Sequence, residues 1–87
     1  RAEVVEALEA AYPPLLRDAG IGGTANVWLF IDKDGTVGRV QIQQASGHPA
    51  LDDAALAVAR TMRFTPARNG DDPVPVWVAF PITFRTR

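Results

Sequence analysis

Apolar residues alternate with polar ones, or gather in β-branched and aromatic runs, in three stretches of the chain. These stretches are residues 24–31, 36–43 and 74–84, and their composition favours strands. Asp-Lys-Asp-Gly at 32–35 separates the first two stretches, and its glycine readily supplies the positive φ of a tight turn. We therefore predict a hairpin from the first two strands, and a long third strand near the end of the sequence.

A helical period replaces the alternation at 1–11, 13–19 and 49–63. The first helix carries one apolar stripe of Val4, Leu8 and Ala11, and the second is expected to end at Gly20. The apolar face of the third helix is formed by Leu51, Ala54, Ala55, Val58 and Met62. The connection at 67–73 is rich in turn-forming residues and is predicted as a loop.

The order of these elements limits the topology. A right-handed crossover carries the third helix over the sheet between the second and third strands. If the helix crosses the first strand, the sheet order is 2-1-3 and all neighbouring strands are antiparallel. The predicted fold is α+β, with a three-stranded antiparallel sheet, two helices on one face and an additional N-terminal helix. Residues 1–11 are expected to be a helical extension or the end of a linker, and residues 12–87 the domain.

The two faces of the sheet differ in composition. Alternation places the aliphatic residues of the first and third strands toward the helices, and leaves Trp28, Phe30 and Trp77 on the opposite, open face. Trp28 and Trp77 are expected to form a cross-strand pair. Two interpretations remain: a local aromatic cluster covered by the helix at 1–11, or a surface for a partner or for self-association.

The prolines of the third strand predict its orientation. Pro75 and Pro81 have no backbone N–H, and proline is tolerated where the backbone faces a free edge. The odd-numbered residues Trp77, Ala79 and Thr83 should then direct their backbone groups outward. A partner strand would pair mainly with Trp77 and Ala79.

Composition excludes several classes of function. The 87 residues include nine basic and ten acidic side chains, so a nucleic-acid or anionic membrane surface is not expected. The sequence has no cysteine and a single histidine, which excludes disulfides and argues against a structural zinc site. No apolar run approaches the length of a membrane span. No signal peptide is recognisable and the sequence starts abruptly at Arg1, so we interpret it as a fragment of a longer protein.

Three groups of polar residues contain side chains of the types found in catalytic or metal sites. Asp32 and Asp34 lack the further ligands of a calcium loop, so a hairpin turn is the preferred interpretation. Ser46, His48 and Asp52 have the residue types of a hydrolase triad, but they lie at a loop and a helix start. The Asp52-Asp53 pair is interpreted as charge complementary to the helix dipole. We expect no enzymatic activity, no cofactor and no metal.

Several short motifs together resemble the C-terminal domain of TonB-type energy transducers over residues 12–84. The resemblance begins with Tyr12-Pro13, Ile21 and Gly23, and continues with Ile31-Asp32, Asp34-Gly35, Ser46-Gly47, Leu51-Asp52, Ala54-Ala55, Arg63-Phe64, Pro66 and the closing Val-x-Val-x-Phe-Pro-Ile-x-Phe. By this resemblance, Tyr12 packs its ring on the sheet and Gly23 lets the chain pass close to a helix. The segment Glu9, Ala10 and Ala11 would help Tyr12 to hold a partner. The helix-forming residues 3–11 depart from the proline-rich spacer of the family, which leaves a paralogue with a different partner as an alternative.

The resemblance implies a non-catalytic periplasmic module of an inner-membrane-anchored protein that is driven by a motor complex. Such a module would bind an extended segment of an outer-membrane transporter by strand addition. The alternative is a structural module that forms a homodimer through Trp28 and Phe30 on the open face.

Overall fold

The computed structural model of the chain describes residues 2–86. Within this range the helices are α1 (Ala2–Ala11), α2 (Pro14–Asp18) and α3 (Pro49–Thr61). The long strands are β1 (Gly23–Ile31), β2 (Val37–Gln44) and β5 (Val76–Phe84), and the short strands are β3 (Ala67–Asn69) and β4 (Asp72–Val74).

The long strands form one antiparallel sheet in the order β2-β1-β5, so β1 is central and β2 and β5 are the edges. Since β5 is the third strand of the prediction, the α+β fold and the 2-1-3 order are confirmed. α3 connects β2 to β5 and packs over β2 and β1. The predicted crossover helix therefore lies where the topology requires it.

The core lies between β1 and α3. Leu29, Leu51 and Val27 are the largest fully buried side chains, and each such burial contributes roughly 2 kcal/mol. α1 packs against α3, and its stripe of Val4, Leu8 and Ala11 contacts the core. The extra N-terminal helix is therefore present and belongs to the helical layer.

The position of α1 corrects one expectation. The suggestion that this helix covers Trp28, Phe30 and Trp77 is wrong, because its apolar stripe meets α3 on the other side of the sheet. Trp77 keeps 39% of its surface exposed.

The segment predicted as a loop at 67–73 is also more regular than expected. β3 and β4 pair as a small antiparallel hairpin in which Asn69 lies opposite Asp72, and Gly70 has a φ of 66°. Gly70 and Asp71 form the two-residue loop, and a glycine with positive φ at the first loop position favours such a tight connection. The hairpin occupies the region before β5, which begins at Val76 instead of Val74.

The β1–β2 turn forms as predicted and is attached to the end of α3. Gly35 has a φ of 86°, and the amide of Asp32 donates to the carbonyl of Thr36 at 2.8 Å. The amide of Phe64 donates to the carbonyl of Gly35 at 2.9 Å. The turn is therefore held by long-range contacts as well as by its own hydrogen bonds.

The carboxylate of Asp34 accepts two hydrogen bonds from Thr36 in this turn, and these bonds lower its pKa. The hydroxyl of Thr36 donates to Asp34 Oδ1 at 2.6 Å and its amide donates to the same atom at 3.0 Å. These bonds favour the carboxylate and lower the pKa of Asp34 below its usual 3.8. Because the pKa is depressed in the folded state, the stabilisation is present above the unfolded pKa and is lost as pH falls through the folded pKa.

We expect Thr36→Val to raise the pKa of Asp34 toward 3.8, because the first of these two bonds is removed. A carboxyl ¹³C NMR titration measures this pKa directly. Thr83→Val is the control, since the Thr83 hydroxyl bonds to Thr24. An identical Asp34 titration in Thr36→Val and the parent chain would show that the hydroxyl does not set this pKa.

Candidate functional site

β5 is an edge strand with two distinct faces. Its even-numbered side chains point toward the helical layer, where Ile82 and Phe84 are buried and Val76, Val78 and Phe80 are half-buried. The odd-numbered side chains Trp77, Ala79 and Pro81 are exposed on the open face, and Thr83 is half-buried. The predicted division of the strand into an aliphatic and an open face is confirmed.

The orientation of the β5 backbone follows from the register of the sheet. Since the amide of Asp32 points to β2 at the turn, the preceding odd-numbered residues of β1 point to β5. Leu29 and Val27 of β1 lie opposite the even-numbered residues Val78 and Phe80 of β5. The even-numbered residues of β5 thus direct N–H and C=O groups toward β1, and the odd-numbered ones direct them outward. Pro81 lies in the outward set, so the sheet loses no donor there.

The outward set at the free edge thus includes Trp77, Ala79 and Thr83, three of the residues selected from the sequence. No element of the described chain is paired with β5 on this side. Trp77 and Ala79 lie between two prolines that have no N–H, so the amide donors available to an added strand in this interval are few. An edge of this kind admits a short segment and opposes extended, unspecific pairing.

A row of three side chains crosses the open face at the start of β5. Phe30 is opposite Arg39 on β2 and opposite Trp77 on β5. The Phe30 and Trp77 ring centroids are 5.3 Å apart, and the Arg39 guanidinium carbon lies 5.0 Å from the first centroid and 5.3 Å from the second. We call Arg39, Phe30 and Trp77 the aromatic row.

The aromatic row corrects the expected tryptophan pair. Trp28 lies opposite Ala79, one step along the sheet, and the aromatic partner of Trp77 is Phe30. The two tryptophans are therefore diagonal neighbours. The Cα atoms of such residues are about 7–8 Å apart, whereas those of directly opposite residues are about 4.5–5.5 Å apart.

Arg39 was not selected from the sequence. Gly38 is an extra residue in β2, because Phe30 pairs with Arg39 while Ile31 pairs with Val37. This bulge keeps Val37 and Val40 on the helical side and turns Arg39 to the open face. The three-residue spacing of those valines, which breaks the period of two, is the signal that could have revealed the bulge.

Tyr12 joins the start of the domain to the end of β5. Its ring packs edge-on against Phe84 with centroids 5.1 Å apart, and its hydroxyl donates to the carbonyl of Ile21 at 2.6 Å. The expectation that Tyr12 packs on the sheet is confirmed. The glycine required at this point is Gly22, where a Cβ would lie 2.5 Å from the carbonyl oxygen of Phe84; Gly23 has ordinary spacing.

Removal of the Tyr12 hydroxyl should weaken the domain. We expect Tyr12→Phe to lower the free energy of unfolding by about 1 kcal/mol, because the carbonyl of Ile21 loses its donor. Tyr12→Ala should lower it by about 3–5 kcal/mol, because the ring contact with Phe84 is lost as well. Urea unfolding measures both values. If Tyr12→Phe matches the parent chain, the hydrogen bond adds no net stability.

The residues selected before Tyr12 lie at the other end of the edge. Glu9, Ala10 and Ala11 form the last turn of α1, and Glu9 and Tyr12 line a cleft with Arg17, Arg85 and Thr86 beside the C-terminal end of β5. Trp77 lies about 23 Å away along the strand. The sequence-selected residues therefore form two groups at opposite ends of one edge. The arginines of the cleft were missed, because their proximity depends on how α2 packs.

Ser46, His48 and Asp52 do come together, but as a helix start. The Ser46 hydroxyl accepts from the His48 amide and donates to the His48 carbonyl, both at 3.1 Å. Asp52 accepts from the amide of Ser46 at 2.8 Å. The serine and aspartate side chains thus bond to backbone groups, in a geometry that supports the loop before α3.

Residues 2–86 contain neither a candidate metal site nor a candidate membrane-spanning helix. No cluster of three or more potential metal ligands was found in this part of the chain. No helix there has the length and apolar character needed to cross a bilayer.

Comparison with known proteins identifies similar sequences. The profile of the family described as Gram-negative bacterial TonB protein C-terminal matches residues 9–86. The chain is 35% identical over 74 residues to Protein tonB2 of Pseudomonas aeruginosa, and 31% identical over 78 residues to Protein TonB of Vibrio cholerae serotype O1. These alignments cover 85% and 90% of this chain but only 27% and 32% of the relatives. The chain thus spans about a third or less of either relative.

Proposed function

Because the chain belongs to the family of Gram-negative bacterial TonB protein C-terminal domains, we propose that it is a non-catalytic coupling module that binds an extended segment of a partner by adding a strand to β5. Residues 12–87 form the module, and residues 1–11 are a helical extension of it or the end of a linker. The partner is a segment of an outer-membrane transporter. The module works in the periplasm as part of an inner-membrane-anchored protein that transmits energy from a motor complex for uptake.

The observation that carries this proposal is the free edge of β5. Outward-facing backbone groups at Trp77 and Ala79 have no partner strand in the described chain, and strand addition satisfies such groups with main-chain hydrogen bonds. Glu9 to Tyr12 lie at the far end of the same edge and would contact the end of a longer segment. Family membership supports the coupling role, and the edge supports the mode of binding.

A titration with peptides tests the proposal. Synthetic peptides that tile the periplasm-facing segments of the source bacterium's outer-membrane transporters are added to the ¹⁵N-labelled chain. We expect one group of peptides to shift the amide signals of Trp77 and Ala79 and to slow their hydrogen exchange. If the bound peptides shift only residues of the helical layer, docking at β5 is wrong.

A second candidate function rests on the open face. Trp77 is 39% exposed beside the half-buried Trp28 and Phe30, and exposed apolar residues of this kind often mark contacts between proteins. Under this alternative the chain forms a homodimer through that face. Sedimentation equilibrium of the parent chain and of Trp28→Ala distinguishes the two, since only the alternative expects a dimer that the substitution weakens.

A further inference from the structure

The side chain of Arg39 lies over the rings of Phe30 and Trp77 on the open face. Its guanidinium carbon is nearly equidistant from the Phe30 and Trp77 centroids, at 5.0 and 5.3 Å. Among residues 2–86 the ion pair joins Arg17 to Asp18, and no described carboxylate forms one with Arg39. A cation over two rings is attracted by their faces, which favours this position of the guanidinium on the open face.

The contact with the two rings leaves N–H donors of the Arg39 guanidinium available for a further hydrogen bond. The five N–H donors of a guanidinium lie in its own plane, so an arginine can lie on an aromatic ring and bind a carboxylate with its edge. Carboxylate is the group that matches this planar set of donors best, because two parallel bonds can form. The open face thus presents a cation beside Phe30 and Trp77.

The aromatic row ends at the free edge of β5. The order along it is Arg39 on β2, Phe30 on β1 and Trp77 on β5. A strand added to β5 would lie about 4.8 Å beyond it, so the row would continue with a partner residue beside Trp77. A glutamate side chain at that position is long enough to reach across the indole to the guanidinium.

Resting on the proposed strand addition at β5, we infer that Arg39 selects partner segments that carry an acidic residue beside Trp77 on the open face. The bound segment is therefore an extended peptide with one carboxylate in register with the aromatic row. The residues on either side of it in the segment point to the other face, beside the half-buried Val76 and Val78. Arg39 acts as a specificity-determining residue for the partner.

A set of designed peptides tests this inference. Nine-residue acetylated and amidated peptides of alternating valine and threonine carry one glutamate at successive positions, and each has a matched glutamine version. Binding is followed by the NMR signals of Trp77 and Ala79. We expect glutamate to increase the affinity about fivefold over glutamine at the position that reaches Arg39, and this gain should shrink with added salt.

Substitutions of arginine make the test specific. Arg39→Gln should abolish the preference for glutamate, and Arg39→Lys should restore only part of it, because an ammonium lacks the planar set of donors. Arg60→Gln is the matched control, since Arg60 is an exposed arginine of α3 in the helical layer. The preference should persist in that variant.

The outcomes separate the inference from the function on which it rests. Peptides that bind at Trp77 and Ala79 with no preference for glutamate, or with a preference that survives Arg39→Gln, would overturn the role of Arg39 and leave strand addition standing. If no peptide of either version shifts these amides, strand addition and the inference both fail.

Discussion

Gly35→Ala is expected to lower the free energy of unfolding by about 3 kcal/mol or more. Two effects add at this position. A left-handed backbone costs a residue with a Cβ about 1–2 kcal/mol, and Gly35 has a φ of 86°. A Cβ would also overlap the carbonyl oxygen of Phe64, and such overpacking costs about 1–3 kcal/mol. Since a chain of this length is stable by only about 4–13 kcal/mol, the loss is a large share of the total.

Gly47→Ala provides the matched control. Gly47 also has a positive φ, of 94°, but a Cβ there would meet no atom within 4 Å. We expect this variant to lose only the conformational part, about 1–2 kcal/mol. Thermal and urea unfolding of both variants measures the difference. Equal losses would show that the contact between the turn and Phe64 relaxes freely.

Val78→Pro is expected to destabilise the domain, whereas Ala79→Pro is expected to leave the domain folded and to weaken its binding of a partner segment. Val78 faces β1 opposite Leu29, so proline there removes a donor inside the sheet and should destabilise the domain by about 3 kcal/mol. Ala79 directs its amide to the free edge, where Pro81 is already accommodated. Ala79→Pro should therefore change stability by less than about 1 kcal/mol, yet weaken binding of the transporter peptides at least tenfold, because a donor to the added strand is lost.

Circular dichroism on heating and the peptide titration together decide this pair. Amide hydrogen exchange of the unsubstituted chain gives an independent check, because Val78 should be protected and Ala79 should exchange quickly without peptide. If Ala79 is protected and Val78 is not, the orientation of β5 is reversed and the proposed docking edge is wrong. If Ala79→Pro folds and binds every peptide as the parent does, strand addition at this position is excluded.

Local chemistry explains what could be predicted from the sequence. The turn at 32–35 was predictable because aspartate and glycine favour its dihedral angles without help from distant residues. The end of α2 at Gly20 was predictable for the same reason: the amide of Ile21 donates to the carbonyl of Leu16 at 2.8 Å and that of Gly20 to Arg17 at 3.0 Å, which is a Schellman motif. The proline positions on β5 also indicated which residues can face a free edge, since a missing donor is a property of the residue itself.

The site could be predicted only in part, because its geometry depends on register. Trp77 and Ala79 follow from alternation along one strand. The pairing of Trp77 with Phe30 rather than Trp28 depends on how β1 and β5 align, and a shift of one residue changes every neighbour.

The sequence by itself determined the three helices and the three long strands, their order and the faces of β1 and β5, because each depends on residues a few positions apart. Only the tertiary structure decided that Gly38 forms a bulge that brings Arg39 over the aromatic row, and that α1 packs on α3 instead of on the open face. It also decided that Gly22, and not Gly23, must lack a side chain, because the carbonyl that approaches it belongs to Phe84, more than sixty residues away in the chain. Contacts of this kind arise when distant segments pack at full density, and no local preference encodes them.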